Sequence, residues 1–163
     1  MLSLFARSRD LAQSLGAGVG VGVIGGGVSY LFLKALSWSN NTRLDNGWII
    51  YFLPLAGLAI GLAFHYAGES VRGGSNLVLE EIHEPGGGVP RRMAPFVFLS
   101  TAISHLFGAS TGREGAGIQI TASVTDGLSR VFKPSPETRK VLLITSIAAA
   151  FGGLFGVPVG GVV

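Results

Sequence analysis

Residues 46–68 read NGWIIYFLPLAGLAIGLAFHYAG, 23 positions without a lysine, arginine, aspartate or glutamate. An α-helix needs about 20 apolar residues to cross the hydrocarbon core of a bilayer. A helix on the surface of a soluble protein shows polar residues at every turn instead. Three more uncharged runs of comparable length surround this one, at 11–33 (with LGAGVGVGVIGGGVSYLFL), 93–112 and 141–163. A chain of 163 residues has too little interior to bury four such helices in water. The expected fold class is therefore all-α, a polytopic membrane protein. The first run is not a secretory signal: it is too long, it lacks a small-residue cleavage site, and further spans follow it.

Composition agrees. Charged residues are 13% of the chain, about half the ~25% of soluble domains, while hydrophobic residues make up 48%. That excludes intrinsic disorder. The absence of cysteine excludes disulfide scaffolds and thiolate metal sites, and no cofactor or metal is implied. The net charge of +3 comes from few acids, with no cluster of basic and aromatic residues, so nucleic-acid binding is not expected.

The basic residues set an orientation. With the amino terminus inside, Lys34 and Arg43 fall in a first external loop. Nine others (Arg7, Arg9, Arg72, Arg91, Arg92, Arg130, Lys133, Arg139 and Lys140) stay inside, provided residues 115–129 cross back as a shorter segment. The positive-inside rule favours this arrangement. The expectation is an integral membrane protein, with residues 1–13 as a cytoplasmic segment and lipid around it.

Arg113 is then left at membrane depth, where a charge is costly and marks a functional candidate. It lies in GASTGREGAG (108–117), whose four glycines imply irregular backbone, tolerated in a bilayer only where it lines protein or a watery cavity. From Ala116 to Thr125 the sequence reads as the start of a helix. The free N–H groups and positive dipole end of such a start make an anion site. Gly112, Arg113, Gly115, Ala116 and Gly117 are the candidate anion-binding residues here. Glu114 can place its carboxylate where a solute anion would sit, and protonation would weaken its hold, coupling proton movement to anion movement.

A second glycine-led helix start occurs at 72–85, RGGSNLVLEEIHEP. Gly74, Ser75 and Asn76 make a turn and cap whose hydroxyl and amide lie beside another set of helix N–H groups, ahead of a short helix that stops at Pro85. Two broken helices aimed at mid-bilayer are how many transporters bind solute. A third stretch, FGGLFGVPVGG (151–161), carries no charge and reads as close helix packing, with Pro158 expected to break the helix.

Other patterns fail their context. Gly20–Gly25 matches the dinucleotide-binding glycine pattern but lies in an apolar run with no strand. Gly108–Gly112 matches a nucleophile elbow, yet no histidine follows His105, so no hydrolase is expected. Glu80-Glu81-Ile82-His83 has no second Glu-x-x-His partner and reads as a solvated helix end. His65 and His105 are expected to hydrogen-bond to neighbouring helices rather than relay protons.

GREGA at 112–116 resembles the GREGP signature of the CLC family of chloride channels and anion/proton antiporters. GGSNL at 73–77 sits where the family has its GSGIP turn, and AAAFGGLFGVPVGGVV at 148–163 is similar to the family's AAAFNAPLAG-type helix pair. Asn76, Val78 and Ala116 depart from the family's glycine and prolines. GGSNLVLEEIHEP, RMAP and GREGAGIQ together look most like the bacterial fluoride/proton antiporter branch. The resemblance implies Glu114 as external gate and proton carrier, and Ser75 as the serine that contacts the central anion, leaving chloride and fluoride both open. It also implies that residues 1–163 are the first inverted-repeat portion of a longer transport domain that works as a homodimer. The rival readings are a passive voltage-gated-type chloride channel of the same fold and a non-transporting membrane scaffold.

Overall fold

The computed structural model describes the backbone of residues 2–132 and 134–157, and side chains within those ranges from Leu15 onward. The described residues form helices and turns only. The order is α1 (Leu2–Asp45), a 3-10 turn at Gly47–Phe52, α2 (Leu53–Tyr66), a 3-10 turn at Glu69–Val71, α3 (Ser75–His83), α4 (Met93–Leu106), α5 (Arg113–Phe132) and α6 (Pro136–Phe155). Three stretches are long and apolar enough to cross a membrane: Leu15–Asp45, Gly47–Tyr66 and Pro136–Phe155.

The outward surface of these helices is apolar. On α2, Leu55, Leu58 and Leu62 are exposed, and Trp48, Tyr51 and Tyr66 stand exposed near its two ends. Apolar flanks ending in aromatic rings suit lipid and its interfaces. The inward surface packs through small residues as much as large ones. A Cβ on Gly25 of α1 would lie 2.6 Å from the Ala149 Cβ of α6, and one on Gly153 of α6 would lie 2.7 Å from Ser29 Oγ of α1. Backbones that close are the mark of helix association in lipid, where packing replaces the hydrophobic effect. Phe32, Leu36, Val97, Ile120, Leu143 and Leu154 fill the core between α1, α4, α5 and α6.

Helix boundaries differ from the sequence expectation in physically instructive ways. Lys34 and Arg43 lie on α1 rather than in a loop, because no proline interrupts the helix before Asn46 and a charge alone does not end one. Lys34 Nζ stands 5.9 Å over the Tyr30 ring. The run 93–112 yields a helix of only 14 residues: after Leu106 the chain turns through Gly108 at φ +89°. Helix α6 begins at Pro136 rather than within the uncharged run, with Ser135 Oγ accepting the Thr138 N–H (3.2 Å) and Glu137 in its first turn. It ends at Phe155, with Gly156 in the left-handed conformation. The expected break at Pro158 and the side chains of the 1–13 segment lie outside the described residues.

The loop between α3 and α4 is held by a polar face of α5. Ser123 Oγ donates to the Pro90 carbonyl (2.7 Å) and accepts the Ala94 N–H (3.2 Å). Asp126 Oδ2 accepts the Val89 N–H (2.9 Å), and Arg130 Nη2 donates to the Val89 carbonyl (3.0 Å). Glu81 completes the clasp, accepting the Gly86 N–H (3.1 Å) and Gly88 N–H (2.6 Å). Arg139, from α6, pairs with Glu81 and with Asp126 (Nε to Oδ1, 2.6 Å). Glu80 and His83 are exposed, as a solvated helix end would be, but Glu81 is buried. The difference arises because neighbouring helical residues point about 100° apart, and only Glu81 faces α6.

Candidate functional site

The amino-terminal ends of α3 and α5 meet. Gly74 turns the chain into α3 at φ +57°, ψ −132°, a combination open to glycine, and occupies the cap position. Ser75 is therefore the first helical residue rather than a cap, and its side chain makes no capping bond. Its Oγ accepts a hydrogen bond from Gln119 Nε2 of α5 at 3.1 Å. Gln119 lies one turn beyond Gly115, and helical side chains lean towards the amino terminus, which carries its amide back to the mouth of both helices. A Cβ on Gly115 would lie 3.8 Å from Ser75 Oγ and 4.0 Å from Gln119 Nε2; one on Gly74 would lie 3.5 Å from the same amide nitrogen. Ser75, Gly74, Gly115 and Gln119 thus share one small space.

The backbone donors at this mouth can be assigned one by one. In the α3 turn, the N–H groups of Gly74, Asn76 and Leu77 bond to the carbonyls of Val71 (3.1 Å), Gly73 (3.1 Å) and Gly74 (3.2 Å). That leaves the Ser75 N–H without an acceptor among the described residues. Helix α5 starts at Arg113, three residues earlier than the sequence pattern indicates, since an acidic residue in the first turn is favoured by the helix dipole. No turn or side-chain acceptor meets the N–H groups of Arg113, Glu114 or Gly115 among the described residues. Four donors without a protein acceptor among the described residues thus lie in the first turns of two helices whose starts touch at Ser75 and Gly115, and such helix starts are the physical make-up of an anion site.

Glu114 stands at the rim. Its side chain is exposed among the described residues, and Oε2 lies 3.5 Å from where a Cβ on Gly112 would sit. The carboxylate is folded towards the irregular segment that precedes α5. Arg113 and Asn76 are also exposed. Ala116 is buried in the core, and Gly117 lies against the Leu154 side chain of α6, so both lie within the packing rather than at the mouth. Glu114 and Arg113 form no ion pair among the described residues.

The histidines are placed nearby without joining the site. His105 Nδ1 lies 3.0 Å from the Thr101 carbonyl and 3.1 Å from Thr111 Oγ1, bracing the segment before α5. His65 Nδ1 lies 3.3 Å from Arg72 Nη2. Each histidine thus contacts its own helix or an adjacent turn rather than a neighbouring helix, because both lie near the carboxyl ends of their helices. The dinucleotide-like glycines lie within α1, and Gly108–Gly112 lies between two helices rather than on a strand–helix elbow. No cluster of three or more potential metal-ligating acids or histidines occurs among the described residues.

Gln119 was not singled out by the local motifs. A signal existed: Gln119, Ser123, Asp126 and Arg130 recur at three- and four-residue intervals, so one polar stripe runs the length of α5. All four face α3 or the loop that follows it.

Comparison with known proteins gives the chain its relatives. Residues 56–163 match the family described as voltage gated chloride channel. The chain is 44% identical over 141 residues to the Chloride/fluoride channel protein of Pseudomonas syringae, covering 86% of this chain and 31% of that protein. It is 30% identical over 158 residues to the H(+)/Cl(-) exchange transporter ClcA of Salmonella arizonae, covering 87% of this chain and 33% of the relative. A solved CLC-type fluoride/proton antiporter superposes with a TM-score of 0.84 at 31% identity, over 93% of this chain and 38% of that one. The chain spans about a third of the length of these relatives.

Proposed function

The chain belongs to the voltage gated chloride channel family, and from that premise we propose that it contributes one part of a pathway exchanging chloride or fluoride for protons across a membrane. The observation that carries this reading is the convergence of the α3 and α5 amino termini, joined by the Gln119–Ser75 hydrogen bond, with Glu114 at the rim. An anion in that space accepts hydrogen bonds from the Ser75 hydroxyl and from backbone N–H groups. Glu114 competes for the same place while ionised. Once protonated it loses its attraction to the dipole ends and gives way, carrying its proton as the anion passes. Gly74, Ser75, Asn76, Gly112, Arg113, Gly115, Ala116 and Gly117 belong to the two segments that build the cradle. The charge distribution favours a cytoplasmic amino terminus, and the family resemblance supports a homodimer in the lipid of a bacterial plasma membrane.

The name of the Pseudomonas relative supports a second reading, a passive channel for the same ions. Flux from liposomes carrying the product of the complete coding region separates them. An antiporter moves protons uphill when an anion gradient is applied, and Glu114→Gln abolishes that movement while anion flux continues. Passive conductance with no proton movement in the unmodified protein supports the channel. Flux no greater than that of protein-free liposomes, and unchanged by Glu114→Gln and Ser75→Ala, leaves only the packing scaffold. Fluoride and chloride efflux in the same vesicles decides selectivity.

A further inference from the structure

We propose that Gln119 is a positioning residue that fixes the direction of the Ser75 hydroxyl, so that its hydrogen points at the anion. This rests on the reading of Ser75 as an anion contact and adds a residue to it. A serine hydroxyl has one hydrogen to give and two lone pairs. In a helix its hydrogen usually goes to a carbonyl one turn back, which takes it away from any ligand. Ser75 escapes this by standing first in α3, and among the described residues no carbonyl or carboxylate accepts its hydrogen. Gln119 Nε2 instead donates to the oxygen, at 3.1 Å. With a lone pair occupied by a donor, the hydroxyl hydrogen turns away from Gln119, and the donated bond polarises the O–H group towards a stronger outgoing bond. A Cβ on Gly115 would lie 3.8 Å from Ser75 Oγ, so the glycine leaves this side of the hydroxyl uncrowded. If the glutamine amide faced the other way, its carbonyl would take the hydrogen and present a lone pair to the anion.

The test is a double-mutant cycle on the protein from its complete coding region, with fluoride and chloride binding measured by titration calorimetry. Ser75→Ala removes the anion contact and should weaken binding about tenfold or more, the range for a hydrogen bond to a charged group. Gln119→Met keeps the side-chain volume and removes the donor. It should weaken binding about threefold to tenfold. In the Ser75→Ala background the same change should weaken it no further. Equal losses in both backgrounds would mean that Gln119 acts by packing, which overturns the proposal. If Ser75→Ala leaves binding unchanged, the anion-contact reading itself fails, and the proposal with it.

Gln119→Glu supplies a second readout in a side chain of the same shape. Its carboxylate can only accept, pulling the Ser75 hydrogen off the anion, whereas its protonated acid can donate to Ser75 Oγ again. The ratio of variant to unmodified affinity should therefore rise towards one as pH falls through the carboxyl range. A ratio flat with pH, in a variant that melts like the unmodified protein, would refute the relay.

Discussion

Asp126 Oδ2 accepts the backbone N–H of Val89 at 2.9 Å, tying α5 to a loop residue that precedes it by 37 positions. The same carboxylate receives Arg130 Nη2 (2.8 Å) and Arg139 Nε (2.6 Å), so α5, α6 and the α3–α4 loop share one fully buried acid. At its other end α3 touches α5 through Ser75 and Gln119. The short α3 is therefore held at both ends, which fixes where its amino terminus points.

This clasp is expected to dominate stability. Arg139→Met leaves two buried carboxylates, Glu81 and Asp126, short of their shared cation, and should cost about 3–5 kcal/mol. Asp126→Asn keeps an acceptor for Val89 but loses its charge between two arginines, and should cost a similar amount. Arg130 is partly exposed, so Arg130→Met should cost about 1 kcal/mol or less. Melting temperatures of the three variants in detergent check the ranking; equal losses would contradict the burial argument.

Gly115→Ala separates site from scaffold. Its methyl group fits, at ordinary van der Waals distance from Ser75 Oγ and Gln119 Nε2. It occupies the space proposed for the anion, so anion flux should fall at least about tenfold while the melting temperature moves by only a few degrees. Undiminished flux would place the anion elsewhere.

At Gly74 the two effects should appear together. Gly74→Ala asks an L-residue to adopt φ +57°, ψ −132°, at a cost of about 1–3 kcal/mol. Because the turn sets the direction of the Ser75 N–H, both melting temperature and anion binding should drop, the reverse of the pattern at Gly115.

Gly25→Val probes the α1–α6 contact. Even a Cβ there would come within 2.6 Å of the Ala149 Cβ and 3.2 Å of Thr121 Cγ2, and neither neighbour is a flexible chain end. Overpacking of about 1–3 kcal/mol or more is expected, read as lower yield and melting temperature with an unchanged preference between chloride and fluoride. A shift in that preference would tie α1 to the site.

The membrane spans were legible because lipid leaves a gross signature: the uncharged run at 46–68 contains the apolar span Gly47–Tyr66. Where the solvent signal weakened, boundaries moved. Lys34 and Arg43 stayed helical, and the run at 93–112 stopped at Leu106. The glycine-led starts at 73–76 and 112–117 were visible because glycine and a following cap or acid are local chemistry. Their donors were harder to read: Asn76 and Leu77 spend their N–H groups inside the turn, and Ala116 and Gly117 are buried in the packing. Glu81 looked like a solvated charge because its partner, Arg139, lies on another helix.

By itself the sequence determined that the chain is helical and apolar enough for lipid, and that two helices begin at glycine turns with an acid beside the second. Those properties depend on composition and on residues within one turn of each other. Only the tertiary structure decided that the two beginnings face one another, that Gln119 bridges them to Ser75, and that Asp126 and Arg139 hold them there. Such pairings join residues far apart along the chain, and local chemistry carries no record of which distant surface a side chain will meet.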